Sequence, residues 1–263
     1  MKKIQLTETN KRVLYESLGV LFIFLIWEII ALCVNSNSLF PDVPTLFLTF
    51  GNLLIDGSVW LGFLESFGRT FGALFVSFIL ALILGLMSGL NNRFRYFLKP
   101  LIEVLKLIPT PCIVFLIFLY MLKLPNTGSI IITSIIVFPI LYESFVTGIT
   151  NIPESVKMSL RLEGYHKAKS IFRVIIPQAF PYLLLGVLNS FGLGIKVSIV
   201  SEILLGTNSI WGIGRLIYSY QVLADYTKMF SIILLVIIIF LVIDVFLKLI
   251  KMALKKHLNN EKN

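Results

Sequence analysis

Residues 229–250 read MFSIILLVIIIFLVIDVFLKLI, a stretch in which only Asp244 and Lys248 carry charge. Its length matches the roughly 20 apolar residues that a helix needs to cross a hydrocarbon core about 30 Å thick. The rest of the chain agrees with that solvent. Of 263 residues, 57% are hydrophobic and only 14% charged, and the mean hydropathy is +0.92. A soluble domain of this size would need far more surface charge to stay dispersed.

Working outward from residue 229, further apolar stretches predict spans at about 182–205, 129–148, 100–122, 66–90 and 15–34. The expectation is an all-α polytopic membrane protein of six transmembrane helices, forming a single domain over residues 1–263. Pro109 and Pro111 lie inside the third span, so it must bend, and neighbours or water must satisfy the carbonyls this frees. Residues 45–55 predict a short amphipathic helix ended by a turn at Asp56-Gly57. Asn91-Asn92 and Arg93, Arg95 and Lys99 read as a basic loop, and Pro125-Asn126-Thr127-Gly128 as a tight turn. Residues 149–180 break the apolar pattern, with Lys157, Arg161, Lys167, Lys169 and Arg173 among spaced apolar positions. That stretch reads as a surface helix pair divided at Gly164, or as a peripheral helix on anionic lipid.

The first apolar run raises a signal peptide, because Lys11 and Arg12 precede it. It is as long as a span, contains Trp27 and Glu28, and no small-x-small site precedes Asn35, so it reads as span one. Seventeen of the 23 Lys and Arg then fall on one side: the start of the chain, residues 91–99, residues 149–180 and the tail from Lys248. The positive-inside bias puts both termini in the cytoplasm of an inner-membrane protein. Arg69, Lys123, Arg215 and Lys228 fall at or beyond the outer boundary. The net charge of +9 is explained by anionic lipid and retention rather than by nucleic acid.

Chemistry is sparse. Neither a phosphate-binding glycine loop nor an HExxH metal site occurs, and Gly212-Ile213-Gly214 alone is too weak a signal for a nucleotide. No cofactor is expected. His166 and His257 read as solvent-facing, and Cys33 and Cys112 as buried small apolar residues. Charges within or near the spans are costly, and mark packing, gating or a cargo path. The candidates for path or gate are Glu103, Glu143, Lys196 and Glu202. Glu103 and Lys106 are three apart and predict a local pair.

Residues 158–181 read MSLRLEGYHKAKSIFRVIIPQAFP. This resembles the cytoplasmic "EAA" loop of binding-protein-dependent ABC transporter permeases, with Gly164 at the central glycine and Pro177 at the closing proline. Trp27-Glu28, Phe40-Pro41-Asp42-Val43-Pro44-Thr45, Pro100-Leu101-Ile102-Glu103, Ser201-Glu202 and Trp211-Gly212-Ile213-Gly214 are similar to the sulfonate/taurine/nitrate-type branch. Where the family has Glu-Ala-Ala, this chain has Met158-Ser159-Leu160, which leaves Glu154 or Glu163 as acidic substitutes, or a docking that relies on packing and the basic residues.

The resemblance implies the type I ABC importer permease fold and a pore formed by a homodimer, or by one copy with a close paralogue. It implies a cytoplasmic ATP-binding subunit coupled through Glu154, Arg161, Glu163, Gly164 and Pro177, and an extracytoplasmic solute-binding protein. Residues alone leave open an ion-coupled secondary transporter or channel. The orientation is testable by fusion: alkaline phosphatase joined after Asn263 is expected to be inactive, and the same enzyme inserted within residues 206–210 active. The opposite pattern would invert the topology.

Overall fold

The computed structural model describes residues 8–36, 38–121, 125–162, 170–205 and 211–260, and every regular element among them is helical. The chain divides into two compact units, Met1–Val59 with Ile217–Ile237, and Trp60–Leu216 with Ile238–Asn263.

In the first unit, α1 (Glu8–Val34) carries a span at Leu14–Val34 and is exposed along nearly all its length. Exposure of Leu, Ile and Phe on all sides is what lipid contact requires of a helix. The helix is anchored by the residues that interrupt its apolar pattern. Trp27 Nε1 donates to the Pro41 carbonyl at 2.9 Å, and Glu28 Oε2 accepts the Val43 N–H at 2.8 Å. The Trp27 ring lies 4.5 Å from Phe40 and meets Phe230 edge-on at 5.4 Å. Glu28 is therefore occupied in holding the start of α2 (Val43–Ile55), whose first turn Asp42 caps by accepting the Thr45 N–H at 3.0 Å. Asp56 ends α2 and accepts the Ser58 N–H at 2.8 Å; the Ser58 hydroxyl and then that N–H hold its carboxyl below the usual range. Ser231 donates to the Leu46 carbonyl at 3.1 Å, tying α2 to a later helix of this unit.

The second unit is built around α6 (Pro125–Thr150) and α8 (Ile176–Leu205). More than half of the apolar window of α6 is buried, against a third for α3 (Gly57–Leu90). Leu141, Phe145 and Ile149 of α6 pack with Ile175, Ala179 and Leu183, and with Leu98 and Ile102 of α4 (Asn92–Leu107). Since lipid tails are as apolar as leucine, close backbone approach and interhelical hydrogen bonds carry such packing. Both are present. A Cβ on Gly186 would stand 2.5 Å from that of Ser144, so only glycine fits there. Ser77 donates to the Ser134 carbonyl at 2.8 Å, Ser134 to the Ala73 carbonyl at 3.2 Å, and Tyr142 to Ser88 Oγ at 2.8 Å, joining α3 to α6.

Among the described residues the remaining α-helices are α5 (Thr110–Met121), α7 (Glu154–Leu162), α9 (Ile213–Val222) and α10 (Tyr226–Asn260). Among the described residues five helices are long and apolar enough to cross a membrane, or six if α4 and the first part of α5, a pair bent by 98°, count as one span. The bend falls at Ile108-Pro109, where the prolines predict it.

Several boundaries differ from the sequence reading. The basic stretch from Asn92 is the start of helix α4, not a loop. The expected turn at Pro125 is the first turn of α6, where the missing proline N–H has no intrahelical partner to lose. Span two begins at Gly57, directly after the Asp56 cap. Before α8 the backbone makes a π-helical turn, Ile171–Ile175, with Ile176 N–H bonded to the Ile171 carbonyl. Pro177 follows at once, and its ring disfavours an ordinary turn against the carbonyl four residues earlier. Cys33 and Cys112 are both exposed rather than buried, because the expected packing neighbours at those faces are replaced by the surrounding medium.

Candidate functional site

Two ion pairs within the second unit differ in kind. The first is closed. Arg69, on α3, reaches Glu202, near the end of α8; Nε lies 3.1 Å and Nη2 2.9 Å from Oε1. Arg69 is 6% and Glu202 2% exposed. Glu202 Oε2 accepts from Ser66 Oγ at 2.8 Å and from the Gly214 N–H at 3.0 Å, and Ser198 approaches Oε1 at 3.4 Å. Arg69 Nη2 also donates to the Trp211 carbonyl at 2.6 Å, and Ser66 Oγ accepts the Ile213 N–H at 3.0 Å. Two long apolar helices and the segment 211–214 thus share one knot, which the more exposed Glu65 of α3 joins from its edge, 3.7 Å from Arg69 Nη1. A Cβ on Gly212 would collide with the Arg69 guanidinium and the Glu202 carboxylate, which is why glycine follows the tryptophan. The Arg215 guanidinium sits 5.2 Å from the centre of the Trp211 ring, completing the outer layer.

Sequence reading had Glu202 as a candidate gate but put Arg69 at the outer boundary with no partner. The partner lies 133 residues away, so no helical spacing links them. The available signal was one cation and one carboxylate in different apolar spans, each with a serine three or four residues before it.

The second pair is open. Lys106, in the last turn of α4, donates to Glu143 Oε1 of α6 at 2.8 Å, with the side chains 40% and 47% exposed. The expected Glu103–Lys106 pair gives way to this one, because α6 places the Glu143 carboxylate within 2.8 Å of the Lys106 ammonium. Beside the pair lies a hollow of about 400 Å³ whose lining includes Arg95, Lys99, Glu103, Tyr142, Glu143 and Thr147. A second, of about 230 Å³, adjoins Glu143 from the other flank and meets Ser144, Thr147 and Tyr182. Sequence reading named Glu103 and Glu143, and the structure brings both to one hollow.

Lys196 stands apart from both pairs. It lines a hollow of about 240 Å³ between α8 and α10 together with Asn189, Asp244 and Lys251, and Asp244 itself is bonded to Lys248 at 2.7 Å. Of the candidates for coupling, Glu154 is exposed in the first turn of α7, where its charge suits the helix N-terminus. Arg161 lies in the last turn of α7, and Pro177 is exposed in the first turn of α8. Glu163 and Gly164, and with them the expected break between helical halves, lie outside the described residues, as does His166. Among the described residues no group of three or more His, Cys, Asp or Glu is arranged to hold a metal ion.

Comparison with known proteins gives this geometry a setting. The profile of the family described as "Binding-protein-dependent transport system inner membrane component" matches residues 77–256. The chain is 26% identical over 239 residues to the putative aliphatic sulfonates transport permease protein SsuC of Bacillus subtilis (strain 168), covering 90% of this chain and 85% of that one. It is 26% identical over 124 residues to the glycine betaine/proline betaine transport system permease protein ProW of Escherichia coli (strain K12), covering 45% and 34%. In fold it is similar to an inward-facing MetNI methionine ABC transporter chain, with a TM-score of 0.62 at 16% identity over 74% of this chain and 95% of that one. It is likewise similar to a chain of an amino acid ABC transporter crystallised with histidines, with a TM-score of 0.59 at 19% identity over 74% and 94%.

The closed pair yields a double-mutant cycle. Arg69→Met is expected to lower stability in detergent by about 3–5 kcal/mol, since it leaves the buried Glu202 carboxylate uncompensated, and Glu202→Leu by less, since Arg69 keeps the Glu65 carboxylate 3.7 Å away. The double variant, with neither charge, is expected to fall well short of the sum, as read from unfolding of the solubilised protein. Strict additivity would show that the two groups are not coupled.

Proposed function

The chain belongs to the family of binding-protein-dependent transport system inner membrane components, and on that premise we propose that it is the permease subunit of an ATP-driven importer for a small solute. Its work is transport across the inner membrane rather than catalysis of its own. ATP hydrolysis is assigned to a cytoplasmic partner subunit, and delivery of the solute to an extracytoplasmic binding protein. The observation that carries the reading is the family match over residues 77–256, which includes the polar segment between α6 and α8.

In this reading the whole chain is one permease domain with both termini cytoplasmic, and residues 149–180 form the coupling loop. Glu154, Arg161, Glu163, Gly164 and Pro177 face the ATP-binding subunit. The π-helical turn and Pro177 support a lever at this place, because they interrupt the regular hydrogen-bond ladder just where a pushed segment joins a long span. Glu103, Glu143 and Lys196 border the solute path, and Glu202, held by Arg69, keeps the far ends of α3 and α8 together. Two copies of the chain complete the pore. The support for this is the polar strip Glu143, Ser144 and Thr147 of α6, which one copy leaves uncovered or half-covered at span depth. Lipid covers the remaining apolar surface.

The solute class follows the SsuC-like resemblance over most of the chain: a sulfonate, taurine, nitrate or vitamin-precursor type of molecule. The rival is an ion-coupled secondary transporter or channel, in which the intramembrane carboxylates themselves carry the coupling ion. Proteoliposomes containing the chain with its ATP-binding subunit and binding protein separate the two. ATP is expected to drive uptake, and Gly164→Pro to abolish the ATPase stimulation by loaded binding protein while insertion stays normal. Uptake by this chain alone under an ion gradient, or equal stimulation in the variant, would overturn the proposal.

A further inference from the structure

The open hollow between α4 and α6 holds more information than a pathway requires. Lys106 and Glu143 each keep two-fifths or more of the side chain exposed while bonded to one another. Glu143 lies about 10 Å of helix rise from the end of α6, within the span Thr127–Thr150. Charges at such depth face either protein or water-filled space. Here the space is visible on both flanks: Glu143 and Thr147 border the hollow of about 400 Å³ and the one of about 230 Å³ alike. The larger is at the small end of the roughly 300–1,000 Å³ typical of small-molecule sites.

The charge around the hollow is arranged by helix geometry. Arg95, Lys99, Glu103 and Lys106 follow at spacings of four, four and three, which puts them on one face of α4 opposite Glu143. Three cations stand against two carboxylates, a surplus of one positive charge. Lys106 uses a single contact to Glu143, and its ammonium has three donors. It is also carried on a helix separated from α5 by a 98° bend at Ile108-Pro109, just beyond Lys106.

We infer that this hollow binds the anionic group of the transported solute, and that the Lys106–Glu143 ion pair is an exchangeable latch which the solute opens. A sulfonate or carboxylate entering beside Glu143 takes the Lys106 ammonium as its counter-charge, with Arg95 and Lys99 supplying the surrounding positive potential. Glu143 then repels the bound anion, which keeps the site weak enough to release it. When the solute leaves, Lys106 returns to Glu143 and the hollow is closed again to a bare charge. A cation gains nothing on this route, because it meets the surplus positive charge first. The inference rests on the permease reading above and assigns that path its ligand chemistry.

The test uses the full chain, with Cys33→Ser and Cys112→Ser, assembled with its ATP-binding subunit in nanodiscs of phosphatidylcholine. Thr147→Cys is the reporter in the larger hollow and Ser144→Cys the second reporter, from the smaller one. Each is reacted with an anionic and a cationic methanethiosulfonate reagent, and each rate is divided by that with a free thiol in solution. The anionic reagent is expected to lead by roughly tenfold, the ratio that one net charge about 6 Å away gives in water. Lys106→Gln is expected to bring the ratio to one or below, and Glu143→Gln to raise it. Ethanesulfonate is expected to slow the anionic reagent in the parent chain but not in Lys106→Gln. No reaction at either reporter, a faster cationic reagent, or protection by added anionic lipid in place of ethanesulfonate would overturn the inference. Because the labelling ratio uses no ATP, the anionic preference in a chain that binds no ATPase would sink the importer reading and leave the anion site standing.

Discussion

A bilayer interior offers no water to a charge, and the second unit is organised around one answer to that constraint. Glu202 receives the Arg69 guanidinium, the Ser66 hydroxyl and the Gly214 N–H together, so neither charge is left bare. The same contacts settle several features that look unrelated along the chain. Serine at 66 serves as donor to the carboxylate and acceptor from Ile213 N–H. Glycine at 212 makes room for the guanidinium. Tryptophan at 211 contributes its carbonyl below and its ring above. Removing Arg69 leaves the buried Glu202 carboxylate without a counter-charge, whereas removing Glu202 leaves Arg69 with the more exposed Glu65 at 3.7 Å.

The Lys106–Glu143 pair has a shorter bond to fewer partners and stands open to space on both sides. The contrast separates two uses of charge at membrane depth. Surrounded on every side by donors and acceptors, a pair fixes helices in register. Bonded once and half exposed, it is free to exchange its partner for a passing ion. The break between α4 and α5 belongs with the second use. Irregular backbone at this depth is tolerated where it is buried in protein or lines a cavity, and the helix end that the break creates carries Lys106.

Much of the fold was legible in the sequence, because a span is a local property. A long apolar run announces itself, and two prolines within one announce a bend. The short helix at 43–55 and the change of character after Thr150 were equally local. What stayed hidden was set by contacts across the chain. The partners Arg69 and Glu202, or Lys106 and Glu143, are separated by lengths that no helical period encodes. Charge also misled: Arg93, Arg95 and Lys99 read as a loop, although they stand exposed on a helix that buries Leu98 and Ile102. Cys33 and Cys112 read as buried because apolar surroundings in a sequence do not distinguish protein from lipid. Glu28 read as an intramembrane charge, and its engagement with the Val43 N–H appeared only once the chain had turned back on itself.

The central claim, that this chain works as the membrane half of an ATP-driven importer, is tested most directly by what it carries out of the membrane. The tagged protein would be extracted from its native membrane in mild detergent and the intact complex weighed by mass spectrometry. The account predicts a nucleotide-binding subunit in one-to-one ratio with this chain, in a particle containing two copies of the chain. Recovery of the chain without any nucleotide-binding partner, at every salt concentration and detergent tried, would contradict it.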